Sequence, residues 1–176
     1  MAFEIERRFL IKNDNWKEFI NKKIYIEQGY FSKSIDGWII RVRLIGKNSK
    51  ITLKKHIKGF TNFEFEYSIP LSDAETIMSN LSNTIQKDRH LLEIEKKPWI
   101  IDCFKENNYP LEIAEIELSN EDFDFIKNKI KYKNLLVNCL TKNKALLACL
   151  TKPACKQKKH PIILLKLFKE FHAKTA

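Results

Sequence analysis

In the stretch Phe3-Glu4-Ile5-Glu6-Arg7-Arg8-Phe9-Leu10, Glu4, Glu6 and Arg8 recur at every second position, with Phe3 and Ile5 alternating against them. Residues i and i+2 of a β-strand share a face, so the three charges project from one side of a strand and the apolar residues from the other. The same device returns along the chain. Arg41 and Arg43 stand among Trp38, Ile40, Val42 and Leu44; Thr52 and Lys54 follow; Glu64 and Glu66 stand among Phe63, Phe65, Tyr67 and Ile69. Lys87 and Arg89 come next, then Glu115 and Glu117 among Ala114, Ile116 and Leu118. A solvated sheet face ordinarily mixes short polar residues. Here carboxylates occupy some strands and cations others, and that sorting points to a site.

Hydrophobic alternation bounded by turn residues predicts strands near 2–11, 24–31, 37–46, 49–56, 62–69, 85–95, 98–105 and 110–118, with turns at Asp36-Gly37, Gly46-Lys47-Asn48 and Lys58-Gly59. Helices are expected over 14–23, capped by Asn13 or Asp14 with Trp16, Phe19 and Ile20 on one face, and over 119–129. Ser72-Asp73-Ala74-Glu75 reads as a capping box opening a further helix through about Leu81. The fold class is α+β, mainly β, and eight strands are enough for an antiparallel sheet to close into a barrel. Turning the charged faces inward would make a polar tunnel, with Ile40, Val42, Phe65 and Ile116 under outer helices and loops. Burying ions without a ligand costs several kcal/mol each, so this orientation is expected only where solvent, metal and a polyanion fill the interior. His56 and His90 are expected in the outer layer or in solvent.

At 176 residues, 44% apolar and 11% aromatic, the chain supports one domain with a substantial core. It has no run of 18 apolar residues and no basic-then-apolar start, so a cytoplasmic location is expected. Cys103, Cys139, Cys149 and Cys155 lack C-x-x-C spacing and are read as reduced thiols; Cys149, Cys155 and His160 match no zinc module. The net charge of +10 is unevenly held: residues 125–176 carry 13 lysines and one acid, a net +12, leaving residues 1–124 at −2. The division is therefore a domain over 1–130 and a lysine-rich extension over 131–176. Apolar spacing at Leu136, Leu140 and Leu147 within 135–150, and at Leu164, Leu167, Phe168 and Phe171 within 162–171, predicts amphipathic helices in that extension. Any nucleic-acid binding by its lysines would be sequence-independent and steeply salt-sensitive.

Taken in order, Glu4-Ile5-Glu6-Arg7-Arg8, Ile26-Glu27-Gln28-Gly29-Tyr30, Arg41-Val42-Arg43, Thr52-Leu53-Lys54, Glu64-Phe65-Glu66-Tyr67, Lys87-Asp88-Arg89, Trp99-Ile100-Ile101-Asp102 and Ala114-Glu115-Ile116-Glu117-Leu118 resemble the motif series of the CYTH, or triphosphate tunnel metalloenzyme, superfamily. Its ExExK signature is matched by residues 4–8, with Arg8 in place of the usual lysine. The likeness is closest to the bacterial tripolyphosphatases and covers residues 2–118. Past that point no E-V-T strand signature is found.

The resemblance implies an eight-stranded tunnel that binds a triphosphate chain and one or two divalent metals, Mg²⁺ or Mn²⁺. A triphosphate is a dense linear anion suited to guanidinium forks and ammonium groups spread along its length. Arg8, Arg41, Arg43, Lys54, Lys87 and Arg89 supply these, with Lys54 or Lys87 as proton-transfer partner. Glu4, Glu6, Glu115 and Glu117 offer hard oxygen ligands, with Glu64 and Glu66 in or near the same set. The expected reaction is metal-dependent hydrolysis of inorganic triphosphate or a triphosphorylated small molecule. Adenylyl cyclase of the CYTH type (class IV) and thiamine triphosphatase are alternatives within the fold. A noncatalytic polyphosphate- or nucleic-acid-binding protein is the alternative outside enzymology. Tyr30 is read as either a strand start or part of the tunnel mouth, and Asp102 as a partner of Lys87 or Arg89 or a support for metal-ligated water.

Overall fold

The computed structural model describes residues 3–11, 13–31, 36–94, 96–120 and 136–139. The strands are β1 (Phe3–Ile11), β2 (Ile20–Tyr30), β3 (Trp38–Ile45), β4 (Asn48–Lys58), β5 (Thr61–Ser68), β6 (Asn83–Ile94), β7 (Lys97–Phe104), β8 (Glu112–Glu117) and β9 (Leu136–Cys139). One α-helix, α1 (Leu71–Ser79), joins β5 to β6. The sheet order is β5-β4-β3-β2-β6-β7-β8-β1-β9, and an added β5–β1 pairing closes the first eight strands into an antiparallel barrel. That closing seam is short, with Phe3 opposite Phe63, Glu4 opposite Asn62 and Ile5 opposite Thr61. Farther along the same edge of β1, β9 takes over, pairing Cys139 with Phe9 and Leu136 with Ile11.

Contacts that skip a strand fix which face is inside. Lys54 on β4 reaches Glu4 and Glu6 on β1, across the intervening β5. Arg89 on β6 reaches Glu115 on β8 across β7, and Arg41 on β3 reaches Glu64 on β5 across β4. Only side chains sharing the barrel interior can make such contacts, so the charged faces line it, as expected. The apolar faces point outward into two clusters. Val42, with no exposure, packs under Ala74 and Met78 of α1, together with Leu44, Ile51 and Ile69. Phe9, Trp16, Leu92, Trp99, Ile101, Ala114, Ile116 and Leu118 form the other. Of the four residues expected outside, Val42 and Ile116 are buried there, while Phe65 is half-buried against Trp38 and Phe63.

Three local expectations need correction. The helix expected over 14–23 is a 3-10 segment, Asp14–Phe19, after which β2 begins. Asn13 does cap it, its side chain accepting from the Asn15 amide at 3.1 Å, but Ile20, Lys22 and Lys23 pair with Leu92, Leu91 and His90 of β6. Ladder bonds to a distant strand thus outcompete the local helical pattern. The capping box is not formed: α1 starts at Leu71 with Pro70 at its N-cap, and Ser72 Oγ lies 3.2 Å from Asp73 Oδ1 instead. Residues 136–139, expected within a helix, are strand β9, because β1 has a free edge beyond the reach of β5. The helices expected over 119–129 beyond Asn120, over the remainder of 135–150 and over 162–171 lie outside the described residues. No helix among the described residues is long and apolar enough to cross a membrane.

Candidate active site in the barrel interior

The interior is divided by sign. One wall, formed by the neighbouring strands β8, β1 and β5, presents Glu115 and Glu117, Glu4 and Glu6, and Glu64 and Glu66. The facing wall, β4, β3, β2 and β6, presents Lys54, Arg41 and Arg43, then Lys87 and Arg89. Register makes the division local: Glu6 is opposite Glu117, Arg8 opposite Glu115, Lys54 opposite Glu64, and Thr52 opposite Glu66. Arg8 is the cation set within the carboxylate wall. It lies 2.7 Å from Glu6 and 2.9 Å from Glu115.

On the cation wall the guanidiniums of β3 are under-compensated. Arg43 is 8% exposed, and its nearest carboxylate, Glu66, is 3.7 Å away. Burial, with Arg41 and Arg89 alongside, pulls it down to about 10. Arg41 donates to Thr52 Oγ1 at 3.2 Å and stands 3.5 Å from Glu64. The Nε atoms of both arginines are buried without a hydrogen-bond partner among the described residues. Buried donors are ordinarily satisfied, and guanidinium N–H groups left open inside a polar tunnel are the arrangement that an anion completes.

Beside that wall, on β7, Asp102 is 1% exposed and accepts from both neighbouring cations of β6. Lys87 Nζ lies at 2.5 Å, Arg89 Nε at 2.8 Å and Arg89 Nη2 at 2.7 Å. Burial alone would raise the Asp102 carboxyl, but Lys87 and Arg89 hold it well below the usual carboxylate range. Lys87 is pulled down to about 8 by its own burial, against the attraction of Asp102 and aided by Arg89. Asp102 therefore pairs with both cations at once. Gln28, 2% exposed, donates to the Tyr30 hydroxyl at 2.6 Å, opposite Arg43 and Arg41 respectively.

At the carboxylate wall three acids gather on one ammonium. Lys54 Nζ contacts Glu4, lies 2.8 Å from Glu6 Oε1 and 3.0 Å from Glu64 Oε2. Burial and the neighbouring Glu6 raise Glu4 to about 7 despite Lys54, whereas for Glu6 burial is outweighed by Arg8 and Lys54, which hold it at about 2. Burial would lower Lys54, but Glu6 and Glu4 hold it above the ordinary lysine value. The donor chemistry suits a hard divalent cation, which takes carboxylate oxygens together with phosphate oxygens and water. As they stand, no three His, Cys, Asp or Glu groups among the described residues are arranged to hold a metal; Glu4, Glu6 and Glu64 gather on the Lys54 ammonium instead. Glu115 pairs instead with Arg8 and Arg89, and Glu66 with Lys50 at 2.6 Å; Glu117 is exposed at the strand end.

His90 is buried in the outer layer as expected, edge-on to Trp16 at 5.1 Å. His56 is not placed as expected. It lies two residues from Lys54 and so shares its face, opposite Asn62, with Nδ1 3.4 Å from Asn62 Oδ1. Parity within β4 was the signal for this. Gln28 is a tunnel residue beyond those expected, and its parity with Tyr30 is the sequence signal for it.

No family model matches the chain. An inorganic triphosphatase of Acetivibrio thermocellus is 34% identical over 129 residues, covering 72% of this chain and 81% of that protein. A solved inorganic triphosphatase structure superposes with a TM-score of 0.58 at 23% identity, covering 89% of this chain and 95% of the other. A Hippeastrum protein proposed as an adenylyl cyclase, with a dominant triphosphatase activity, gives 0.59 at 11% identity, covering 87% and 98%. The structural likenesses carry the fold and the identity to the Acetivibrio protein carries the kinship: this chain belongs to the CYTH, or triphosphate tunnel metalloenzyme, superfamily.

Proposed function

We propose that the protein is a divalent-metal-dependent triphosphatase that hydrolyses a phosphoanhydride bond of inorganic triphosphate, or of a triphosphorylated small molecule, within the barrel. The observation that carries this reading is the arginine pair Arg41 and Arg43, whose buried Nε donors lack partners among the described residues and face a wall of carboxylates. The relative from Acetivibrio thermocellus, named an inorganic triphosphatase, supports the same reaction class.

In this reading Arg8, Arg41, Arg43, Lys54, Lys87 and Arg89 hold the phosphate oxygens, and Glu4, Glu6 and Glu64 form the nearest metal-ligand set, with Glu66, Glu115 and Glu117 flanking it. The metal, Mg²⁺ or Mn²⁺, supplies charge neutralisation at the phosphate oxygens when bound. The arginines keep the chain in line and share the charge that develops on the transferred phosphoryl group. Of the two proton-transfer candidates, Lys87, drawn down to about 8, is closer to neutrality than Lys54, which is held high. The activity is assigned to residues 1–130, with 131–176 as a lysine-rich extension, and the protein to the cytoplasm.

The test is product analysis on tripolyphosphate, ATP and thiamine triphosphate with Mg²⁺ or Mn²⁺. Metal-dependent release of phosphate and pyrophosphate from tripolyphosphate is the expected result. Cyclic AMP as the main product from ATP would overturn the hydrolase reading, and loss of anion binding on deleting 131–176 would favour a tail-driven binding protein.

A further inference from the structure

Lys54 occupies an unusual position for a residue of the cation wall. It starts on β4, yet its ammonium lies among the carboxylates of two other strands, Glu4 and Glu6 of β1 and Glu64 of β5. Its side chain is 15% exposed, so the contacts are made away from bulk solvent. The three strands meet at the barrel's short seam, where β5 and β1 share the pairs from Phe3–Phe63 to Ile5–Thr61. The ammonium thus ties the seam by charge where backbone pairing is brief.

An ammonium is a compact point charge with three donors and a flexible stem. A divalent cation drawing on the same oxygens would need them at about 2.0–2.1 Å for Mg²⁺, which leaves no room for Nζ among them. The two cations are mutually exclusive at this place. On the same face of β4 as Lys54, Thr52 accepts from Arg41 of the wall proposed to hold the anion. Swinging the stem toward that wall would leave the carboxylates to the metal and add an ammonium to the phosphate-binding side.

We propose that Lys54 is the resident counter-cation of the carboxylate set, which a divalent metal displaces on binding, so that Lys54 sets metal affinity and metal entry releases an ammonium toward the anion wall. This rests on the metal assignment of the preceding subsection. It makes metal binding weaker than the three carboxylates alone would give, and it couples metal to anion through one side chain, so each ligand favours the other by the same factor.

Two measurements on the full chain test it. Mn²⁺ titration of metal-free protein, with free Mn²⁺ read by electron paramagnetic resonance, compares wild type with Lys54→Met and, should that fold poorly, Lys54→Gln. Removal of the competitor is expected to tighten Mn²⁺ binding by roughly 10-fold or more, about 1.4 kcal/mol per decade. In wild type, acetylation of Lys54 by acetic anhydride, followed by peptide mass spectrometry, is expected to rise when Mn²⁺ saturates the site. Equal or weaker Mn²⁺ binding in the folded variants, or Lys54 reactivity unchanged or reduced by Mn²⁺, overturns the inference while leaving the metal assignment standing. Failure of wild type and variants alike to bind Mn²⁺ overturns the metal assignment itself.

Discussion

Ile101 and Asp102 are sequence neighbours on β7, 2% and 1% exposed respectively, yet they are buried on opposite faces by opposite means. Ile101 joins Phe9, Trp99 and Ala114 on the outside of the barrel, where removal from water is itself the driving force. Asp102 is inside, and its desolvation is offset only by Lys87 and Arg89. The same contrast runs along β3, where Val42 is sealed under α1 while Arg41 and Arg43 line the tunnel. The outer face is held by apolar burial; the inner face carries buried charge, some of it closely compensated, as at Asp102, and some left short of partners, as at Arg43.

The comparison breaks most readily on the outside. Trp99, 2% exposed with its ring centroid 5.8 Å from that of Phe9, should cost about 3–5 kcal/mol when replaced by alanine, measured as a lower urea midpoint. On the inside the sign should differ. Arg43→Met removes a buried guanidinium whose closest carboxylate is 3.7 Å away, and because burial, Arg41 and Arg89 disfavour its charge more than Glu66 favours it, the exchange should leave stability unchanged or raise it. A loss of stability as large as that of Trp99→Ala would erase the distinction between the faces.

Within the carboxylate wall, two neighbouring glutamates should respond oppositely to pH. Glu6, lowered from 4.5 to about 2, contributes stability that is present above pH 4.5 and is lost as pH falls toward 2. Glu4, raised from 4.5 to about 7, binds its proton more tightly when folded, so its contribution is greatest below pH 4.5 and declines as pH rises through 7. In metal-free protein at pH 8, Glu4→Gln should therefore gain about 1–3 kcal/mol over wild type and Glu6→Gln lose a comparable amount, both read from denaturant midpoints. Movement in the same direction would show that burial does not outweigh Lys54 at Glu4, or that Arg8 and Lys54 do not outweigh burial at Glu6.

The smallest effect belongs to Gly29. A Cβ there would come within 2.6 Å of Leu81 Cδ1 and 2.8 Å of Met78 Sδ. Both are ends of flexible side chains, so Gly29→Ala should cost only about 1–2 kcal/mol of overpacking, read as a thermal midpoint shift.

The strand alternation from Glu4 to Glu117 made the strands and the sorting of charge onto one face legible in the sequence; period two alone would equally allow an aliphatic interior, so the inward turn of the charges rested on the ordered motif series and its resemblance to a ligand-filled tunnel. What was not legible depended on contacts across strands. Lys54, Glu4 and Glu64 meet because the barrel's register sets β4 and β5 beside the start of β1, and no local pattern encodes that stagger. The pairing of Ile20 and Lys23 with β6 is likewise invisible in residues 14–23, which on their own read as a helix. Asp102 was legible as a partner of Lys87 or Arg89, or as a support for metal-ligated water; that it pairs with both cations at once is set by the β6–β7 register, which no local pattern encodes.

The central claim is that the charged inner face is the working face, and its most direct test is the rate of phosphate and pyrophosphate release from tripolyphosphate by wild type and Arg43→Met, each verified as folded. Wild type should turn over tripolyphosphate only with Mg²⁺ or Mn²⁺. The variant should lose on the order of 10- to 100-fold in kcat/KM, the scale of one charge-assisted contact of about 1.5–3 kcal/mol, with its unfolding midpoint unchanged or raised. Metal-dependent turnover at the wild-type rate in folded Arg43→Met, or no turnover in wild type, would contradict the account.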